Sequence, residues 1–469
     1  MATPPPGGAQ SDPYAELRSQ LRGTLSLPGE PEFDVSRKVY NGMFDRRPTV
    51  VVRCRDTADI VAAVKFARSH RMPLVAKGGG HSISGASTID GGMLVDLSLM
   101  RGVAVDLSRK TVTVQGGALW GDVDHATQLH GLAVPGGFVS TTGVAGFTLG
   151  GGIAWTSRKL GLACDNLISA ELVNASGEVL EVSAKNHPDL FWALRGAGSS
   201  FGIVSTFRFR LQRVGPLVYG GMRGFPGDRA AEILRLVADL YERTPPELNV
   251  LAVLTTAPPA PFVPQAFHGK PVVVVGCCYF GPVRRGPRAT KEICDIPGAV
   301  VDQVGPLPYV ALQSAFDALN PFGLRNYWKS TFLPSLSEEA IQTVVERYQR
   351  IPSPMSEIHF QYGGGAIGKV PDDQSVIGNR SVPYLFNLIA KWTDPGTDQT
   401  NVAYVRDLWS SLQKFSTGGV YSNFNTDLDE KSSRGAFGDA NLLRLAQLKR
   451  AYDPDQVFTG NQKILPAPA

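Results

Sequence analysis

Clusters of glycine are the feature of this sequence that most restricts how the chain can fold. The chain has 51 glycines in 469 residues, more than one residue in ten, where an average protein has roughly 7%. Most clusters lie between Lys77 and Gly202, with no collagen period and no low-complexity run. A glycine lets the backbone approach a ligand closely, and successive free N–H groups bind anions. The clusters therefore indicate a cofactor that carries phosphate.

The common nucleotide-binding loops do not explain these glycines. One literal Gly-x-Gly-x-x-Gly match begins at Gly363, but Lys369, Val370 and Pro371 follow it, so no helix opens there as a Rossmann loop requires. The sequence contains no Walker A motif. A Rossmann dinucleotide site and a P-loop are both unsupported, and the phosphate-bearing cofactor needs a different cradle.

Short strands and helices alternate along the chain, which predicts an α+β fold. Strands are predicted at residues 49–52, 73–76, 93–97, 103–105, 111–114, 271–275, 383–390 and 421–425. Asp56 has the position of an N-cap before a helix with a periodic apolar stripe. A late helix carries Leu442, Leu445 and Leu448 on one face and ends before Pro454. The composition changes near residue 215, where we place a domain boundary.

Composition and residue spacing exclude several classes of function. The net charge is only +4, with no block of Lys and Arg, so no nucleic-acid partner is expected. No apolar stretch approaches the ~18 residues of a membrane span, and the first residues do not resemble a secretory signal. Five irregularly spaced cysteines favour reduced thiols and a cytoplasmic location. The seven histidines show no metal-ligand spacing, so no metal is expected.

A set of motifs occurs in one order along most of the chain. The motifs are Lys77–Gly85 (KGGGHSISG), Val95–Ser98 (VDLS), Gly131–Gly137 (GLAVPGG), Thr142–Gly152 (TGVAGFTLGGG), Asp189–Gly196 (DLFWALRG), Phe201–Val204 (FGIV), Tyr421–Phe424 (YSNF), Tyr452–Pro454 (YDP) and Asn461–Gln462 (NQ). In this order they resemble the FAD-linked oxidases of the vanillyl-alcohol oxidase superfamily. Within it, they are most similar to the berberine-bridge-enzyme-like group with a PCMH-type FAD-binding domain.

The resemblance implies a two-domain fold and its approximate bounds. Residues 1–12 are expected to be a disordered tail, and residues 13–215 an FAD-binding domain with its core at 47–215. Residues 216–418 are expected to form a substrate-binding domain on an antiparallel sheet covered by helices. Residues 419–469 are expected to return to the FAD domain. FAD would lie extended along the glycine loops, which accounts for their density.

The resemblance also assigns residues to FAD. His81 occupies the position of the histidine that links covalently to the flavin, while Val139 occupies the position of a second, cysteine link. We therefore predict a single covalent attachment. Thr142 occupies a position that lines the oxygen side of the flavin, and a small polar residue there favours reaction with O₂. The complete predicted FAD set is Lys77, Gly78, Gly79, Gly80, His81, Ser82, Gly85, Gly136, Gly137, Val139, Thr142, Gly143, Gly146, Gly150, Gly151, Gly152, Gly202, Val204, Tyr421 and Asn423.

Candidates for the substrate side come from two predicted strands. Glu357, His359 and Gln361 alternate on one face of a strand where relatives place their acid–base group, and any of the three could accept a proton. Tyr421 is a fourth catalytic candidate, because it shares a predicted strand face with Asn423.

The substrate pocket itself is less clearly marked. Tyr327 and Lys329 are expected to line it from another strand. A Phe-His-Arg segment common in relatives reads Ile377-Gly378-Asn379-Arg380 here, so the detailed substrate preference of relatives does not carry over.

The implied activity is an oxidase reaction on a small molecule. Hydride would pass from an alcohol, an amine or another activated C–H to covalent FAD and on to O₂, giving H₂O₂; specialised metabolism is the expected context. One alternative is an oxygenase or oxidative cyclase of the flavin-N5-oxide type, which the pair Val139 and Thr142 resembles. Another is a flavin-binding redox protein without catalysis. Substrate identity, flavin attachment atom and oligomeric state stay open.

Overall fold

The computed structural model describes residues 12–458 and 464–468. Its strands are β1 (Thr24–Ser26), β2 (Val50–Arg53), β3 (Leu74–Lys77), β4 (Met93–Asp96), β5 (Val103–Asp106), β6 (Thr111–Gln115), β7 (Leu132–Ala133), β8 (Leu167–Val173), β9 (Val179–Ser183), β10 (Ile203–Arg210), β11 (Gln212–Arg213), β12 (Leu217–Pro226), β13 (Leu248–Thr256), β14 (Pro271–Tyr279), β15 (Val301–Asp302), β16 (Gly305–Pro308), β17 (Arg325–Leu333), β18 (Glu357–Tyr362) and β19 (Tyr384–Trp392). Most of the predicted tail and the pair Asn461–Gln462 lie outside the described residues.

Helices pack against these strands throughout the described chain. They are α1 (Ala15–Gln20), α2 (Pro31–Ser36), α3 (Thr57–Ser69), α4 (Trp120–Gln128), α5 (Val144–Leu149), α6 (Ser157–Leu160), α7 (Pro188–Leu194), α8 (Ala230–Arg243), α9 (Gly286–Ala289), α10 (Lys291–Cys294), α11 (Tyr309–Gln313), α12 (Glu338–Tyr348), α13 (Asp398–Leu412), α14 (Glu430–Phe437) and α15 (Asp439–Tyr452). Over residues 12–458 and 464–468, no helix is both long and apolar enough to cross a membrane.

The first part of the chain forms two main sheets. One has the order β1-β2-β4-β3, with parallel pairing of β2 and β3 to β4, and the other has the order β5-β6-β10-β8-β9. Helix α3 covers the first sheet, and Asp56 caps it by accepting a hydrogen bond from the Asp59 N–H. The α+β class, the strands at residues 49–52, 73–76, 93–97, 103–105 and 111–114, and this cap are confirmed.

From β12 onward the strands join a third sheet. It has eight strands in the order β15-β12-β14-β13-β18-β19-β17, with β16 beside β12, and all of its pairs are antiparallel. Helix α8 buries Ile233, Val237 and Leu240 against one face of this sheet. The antiparallel sheet covered by helices is confirmed, whereas the numerical domain bounds stay a prediction.

The C-terminal residues pack back on the first part of the chain. Leu445 of α15 joins the core around β6, β8 and β10, and the Lys449 Nζ donates to the Ser200 carbonyl over 2.6 Å. Phe458 forms an isolated parallel bridge with Leu74 of β3. The predicted late helix is confirmed, but the strand predicted at 421–425 is wrong, because Ser422–Phe424 forms a 3₁₀ turn.

Candidate functional site

One large cavity, of about 250 Å³, lies between the glycine loops and the eight-stranded sheet. We call its two sides the loop wall and the sheet wall. The loop wall consists of Gly78–Ser82, Gly137–Val139, Thr142–Gly143, Gly146 and Gly202–Val204, and the sheet wall consists of Trp328, Glu357, His359, Gln361, Asn387 and Ile389. The fold thus brings together two sets of residues that are more than 100 positions apart in sequence.

The loop wall is made mainly of backbone. Gly79 and Gly143 approach so closely that a Cβ on Gly79 would lie 2.4 Å from the Gly143 nitrogen. A Cβ on Gly146 would instead meet no atom within 4 Å, because this glycine borders the cavity. Gly79 and Gly143 thus allow two loops to touch, and Gly146 leaves space beside them. This surface of backbone N–H groups and free volume fits an extended phosphate-bearing cofactor such as FAD.

His81 enters the cavity from the loop wall and is held by three neighbours. Its ring stacks on Tyr40 with centroids 4.5 Å apart and meets the edge of Phe322 at 5.1 Å. Its Nε2 lies 2.9 Å from the Thr141 hydroxyl. Burial lowers the pKa of His81 to about 4, so the imidazole is neutral near pH 7. A neutral, oriented imidazole has a lone pair available for a covalent bond.

The second predicted attachment position contains no thiol. Val139 and Thr142 both line the cavity. All five cysteines, which lie within the described residues, are away from the cavity lining. The arrangement therefore offers His81 as an attachment point and no cysteine beside it.

Several members of the predicted FAD set lie behind the loop wall. Lys77 is buried under the loop, where its ammonium lies 3.2 Å from the Asp96 carboxylate. A Cβ on Gly85 would collide with the Phe44 ring, and one on Gly136 would meet the Trp120 ring. A Cβ on Gly150 would meet Asn423, one on Gly151 would meet Ile377 and Tyr421, and one on Gly152 would meet Ala163 and Phe147. Lys77 and these five glycines therefore support the loops, and none of the six lines the large cavity.

Strand register places the sheet-wall residues side by side. In β18 and β19, Glu357 pairs with Ile389 and His359 pairs with Asn387. In β17 and β19, Asn326 pairs with Lys391. Directly opposed residues of antiparallel strands point to the same face. A band of polar side chains therefore crosses the sheet on the side that faces the glycine loops.

Glu357, His359 and Lys391 form a hydrogen-bonded chain within this band. The His359 Nε2 lies 2.7 Å from one Glu357 oxygen, and the Lys391 Nζ lies 2.9 Å from the other. Burial alone would raise the pKa of Glu357, but Lys391 and His359 outweigh it and the pKa falls to about 2. Ionised Glu357 accepts the Nε2–H of His359, which leaves Nδ1 as the imidazole acceptor. Of the three candidates on β18, His359 is thus the one arranged to take a proton.

Two buried amides flank this histidine. Gln361 is 5% exposed and Asn387 is 1% exposed. The Gln361 Oε1 and the Asn387 Oδ1 have no hydrogen-bond partner among the described residues. Because buried polar atoms are normally paired, two unpaired acceptors that border a cavity indicate a place for a ligand with hydrogen-bond donors.

The expectation that Tyr327 and Lys329 line the pocket is wrong. Both side chains point to the opposite face of β17, where the Tyr327 hydroxyl and the Lys329 ammonium contact the Asp427 carboxylate at 2.8 and 2.6 Å. Lys329 also lies over the Trp409 ring of α13. Since strand side chains alternate between faces, Trp328 between them is the residue that reaches the cavity.

Tyr421 is oriented away from the role predicted for it. Its hydroxyl accepts hydrogen bonds from the Gly152 and Ile153 N–H groups at 2.7 and 3.1 Å. The side chain is 2% exposed and does not line the large cavity. In the 3₁₀ turn, Asn423 reaches the cavity lining while Tyr421 anchors the loop before α6. The geometry does not support Tyr421 as the residue that acts on substrate.

Sequence reasoning missed Tyr40, Asn320, Trp328, Asn387 and Lys391. For Asn387 and Lys391 a signal existed, since an Asn and a Lys interrupt the apolar strand YLFNLIAKW, and buried polar residues in such a strand usually have a partner or a ligand. For Tyr40, Asn320 and Trp328 no local pattern distinguishes the site residue from a packing residue.

Comparisons with known proteins agree with this geometry. A family described as "FAD binding domain" matches residues 48–183, and one described as "Berberine and berberine like" matches residues 420–465. An FAD-linked oxidoreductase of Dictyostelium discoideum is 31% identical over 457 residues, which cover 96% of each chain. The (R)-6-hydroxynicotine oxidase of Paenarthrobacter nicotinovorans is 26% identical, over 95% of this chain and 97% of the relative.

A solved structure shows the same fold. Physcomitrella patens BBE-like 1 superposes with a TM-score of 0.86 at 23% identity, over 97% of this chain and 99% of the other.

Proposed function

Because the chain belongs to the FAD-linked oxidoreductases with a berberine-like C-terminal segment, we propose that it is an oxidase with O₂ as electron acceptor. Its substrate is a small molecule with an alcohol, an amine or another activated C–H. Bound FAD would accept a hydride from that carbon and pass two electrons to O₂, giving H₂O₂. The other half of the reaction, removal of a proton from the substrate, needs a base in the sheet wall.

The observation that carries this proposal is the pairing of His359 with ionised Glu357 across the cavity from His81. Glu357 holds the hydrogen on Nε2, so Nδ1 accepts the proton of the substrate O–H or N–H. Gln361 and Asn387 accept hydrogen bonds from the same substrate and fix its orientation. The side chains of Trp328 and Phe424 exclude water from the apolar part of the substrate.

His81 is proposed to carry the covalent link to FAD, through Nδ1. Its Nε2 is engaged by the Thr141 hydroxyl, and Nδ1 makes no hydrogen bond in the described contacts. The test is acid precipitation of the purified protein. Yellow colour should stay with the pellet of the wild type and move to the supernatant of His81→Ala, while colour in the wild-type supernatant would refute the link.

The oxidase proposal is tested by anaerobic mixing with a panel of alcohols, amines and 4-hydroxybenzyl compounds. A substrate should bleach the flavin, and air should restore it with one H₂O₂ formed for each product. His359→Gln should keep the flavin spectrum but slow bleaching by about 10²–10⁴-fold, the usual contribution of a general base. Equal bleaching rates in the two proteins would remove His359 from the mechanism.

Val139 and Thr142 favour one further candidate, an oxygenase or oxidative cyclase. Both residues line the cavity beside the glycine loops, where their short side chains would leave room for O₂ beside bound FAD. The two reactions differ in the fate of oxygen. Turnover under ¹⁸O₂ should yield labelled H₂O₂ and unlabelled product for the oxidase, whereas label in the organic product supports the oxygenase.

A further inference from the structure

Lys391 lies in an unusual place for a lysine. It is 1% exposed, within β19, and it is directed to the same side of the sheet as His359. Its ammonium donates to the Glu357 Oε1 at 2.9 Å, the Leu319 carbonyl at 3.3 Å and the Asn320 Oδ1 at 3.4 Å. All three N–H groups therefore have acceptors. Burial of an ammonium is costly, so a hydrophobic residue would serve this strand better if Lys391 only filled space.

The contacts of Lys391 lead to both walls of the cavity. Through Glu357 they reach His359, whose Nε2 lies 2.7 Å from the second carboxylate oxygen. Through Asn320 they reach Tyr40, whose hydroxyl donates to the same Oδ1 at 3.2 Å. Tyr40 in turn stacks on His81. The ammonium is thus the branch point between the residue proposed as base and the residue proposed as flavin anchor.

We propose that Lys391 is a positioning residue that balances the Glu357 charge, so that Glu357 orients His359 without holding it in the protonated form. This inference rests on the proposed function, because it takes His359 as the proton acceptor. A carboxylate beside an imidazole fixes its tautomer but also stabilises imidazolium. An ammonium on the far oxygen opposes that stabilisation. The contact of Nε2 with Glu357 leaves Nδ1 of His359 to face the substrate proton.

Few charged groups lie near His359, so the effect of removing one of them can be measured. Among the described residues, the titratable groups that line the same cavity are Glu357 on its own strand, Tyr40 and His81. Lys391 adds the one buried ammonium in contact with Glu357. Strand β13 contributes Val253 beside His359, with no charge. Loss of the Lys391 charge is therefore not compensated by another cation bound to Glu357.

The test compares Lys391→Met with Lys449→Met. Lys449 is a matched control, because it is also 1% exposed and its ammonium lies 2.6 Å from a buried carboxylate, that of Asp453. Its other described hydrogen bonds go to the Ser200 and Phe458 carbonyls, and none of them reaches Glu357 or His359. Both variants lose a buried ion pair and should lose comparable stability. Only Lys391→Met should change the titration of His359, observed by NMR of ¹³C-labelled histidine with His359→Gln to assign the signal.

The expected result is a titration midpoint of the His359 signal about one pH unit higher in Lys391→Met than in the wild type. The rising limb of the pH profile for flavin reduction should move by the same amount, so that the rate near neutral pH falls about tenfold. Lys449→Met should leave both unchanged. An unshifted His359 signal in folded Lys391→Met would overturn the proposal, whatever the activity.

Glu357→Gln tests whether Lys391 acts through Glu357, and it also removes the unpaired charge that could prevent Lys391→Met from folding. The double variant Glu357→Gln/Lys391→Met should reduce flavin no more slowly than Glu357→Gln alone, since the charge that Lys391 balances is then absent. Additive losses would overturn the inference. If His359→Gln reduces flavin at the wild-type rate, His359 is not the base. The NMR comparison of Lys391→Met with the wild type still tests the effect of Lys391 on His359 separately.

Discussion

The loop wall and the sheet wall face one cavity but are built in different ways. The loop wall presents backbone, with His81 as its main reactive side chain, and its glycines come from residues 78–202. The sheet wall presents side chains, and neighbours such as His359 and Asn387 come from different strands. A backbone surface suits a cofactor that many related proteins share, whereas a side-chain surface can change with the substrate. The comparison predicts that substitutions will have different consequences on the two walls.

The largest effect is expected at the contact between two glycine loops. In Gly79→Val, the new side chain would meet the backbone of Gly143, where a Cβ alone lies 2.4 Å from the nitrogen. Backbone cannot rotate away, so the loops separate and the destabilisation reaches about 3 kcal/mol or more. This variant should lose both thermal stability, measured by thermal unfolding, and FAD binding, measured as bound FAD per chain. Gly305→Val is the control, since a Cβ there meets nothing within 4 Å.

A second prediction concerns the pH dependence of stability that His81 contributes to the loop wall. Its pKa is about 4 in the folded protein and about 6.5 in an unfolded chain. Between these values the unfolded chain binds the extra proton, so acidification favours unfolding. The stability that the neutral His81 ring contributes is therefore fully present above pH 6.5 and is lost as the pH falls toward 4, by up to about 3 kcal/mol.

The measurement is chemical unfolding of protein produced without riboflavin, at pH 7 and pH 4.5. His81→Asn should reduce the difference in the free energy of unfolding between the two pH values, because the titrating ring is gone. His130→Asn, which changes an exposed histidine, should keep the wild-type difference. If His81→Asn kept the wild-type difference in the free energy of unfolding, burial of this ring would not be the cause of the loss of stability in acid.

A third prediction separates binding from stability on the sheet wall. Asn387→Leu replaces a buried amide whose Oδ1 has no described partner by an apolar side chain of similar volume. The protein should lose no stability, because no hydrogen bond is broken, while KM rises about tenfold, equivalent to about 1.4 kcal/mol of substrate binding. Asn326→Leu is the control on the same sheet face. Its amide bonds the Leu324 carbonyl and the Trp328 Nε1, so that variant should lose stability.

The smallest effect is expected on the far face of β17. Tyr327→Phe removes the hydroxyl that contacts Asp427 and accepts from the Arg406 Nε. The free energy of unfolding should fall by about 1 kcal/mol, the usual net value of a hydrogen bond, and KM should not change. Trp328→Leu, one residue along the strand, should show the reverse pattern. A KM change in Tyr327→Phe with none in Trp328→Leu would contradict the observed strand face.

Sequence patterns were most informative where one short segment forms one surface. The loop that contains Gly78–Gly80 and His81 lines the cavity as the motif predicts, and Asp56 caps α3. They were least informative where an alternating pattern had two possible faces, as for Tyr327 and Lys329. The 421–425 segment failed for a related reason. Hydrogen bonds from Gly152 and Ile153 hold the Tyr421 side chain inward, and a local strand propensity does not include such a distant partner.

The sequence by itself determined the α+β class and the glycine loops that border the cavity together with His81, because glycine spacing and helix caps act over a few neighbouring residues. Only the tertiary structure distinguished Glu357, His359 and Gln361 by their hydrogen-bond partners, on which the proposal of His359 as base rests. That distinction depends on Lys391, which comes from another strand and reaches Glu357 through the register of β18, β19 and β17. Charges separated along the chain interact strongly only after folding brings them within a few ångströms and removes the water between them.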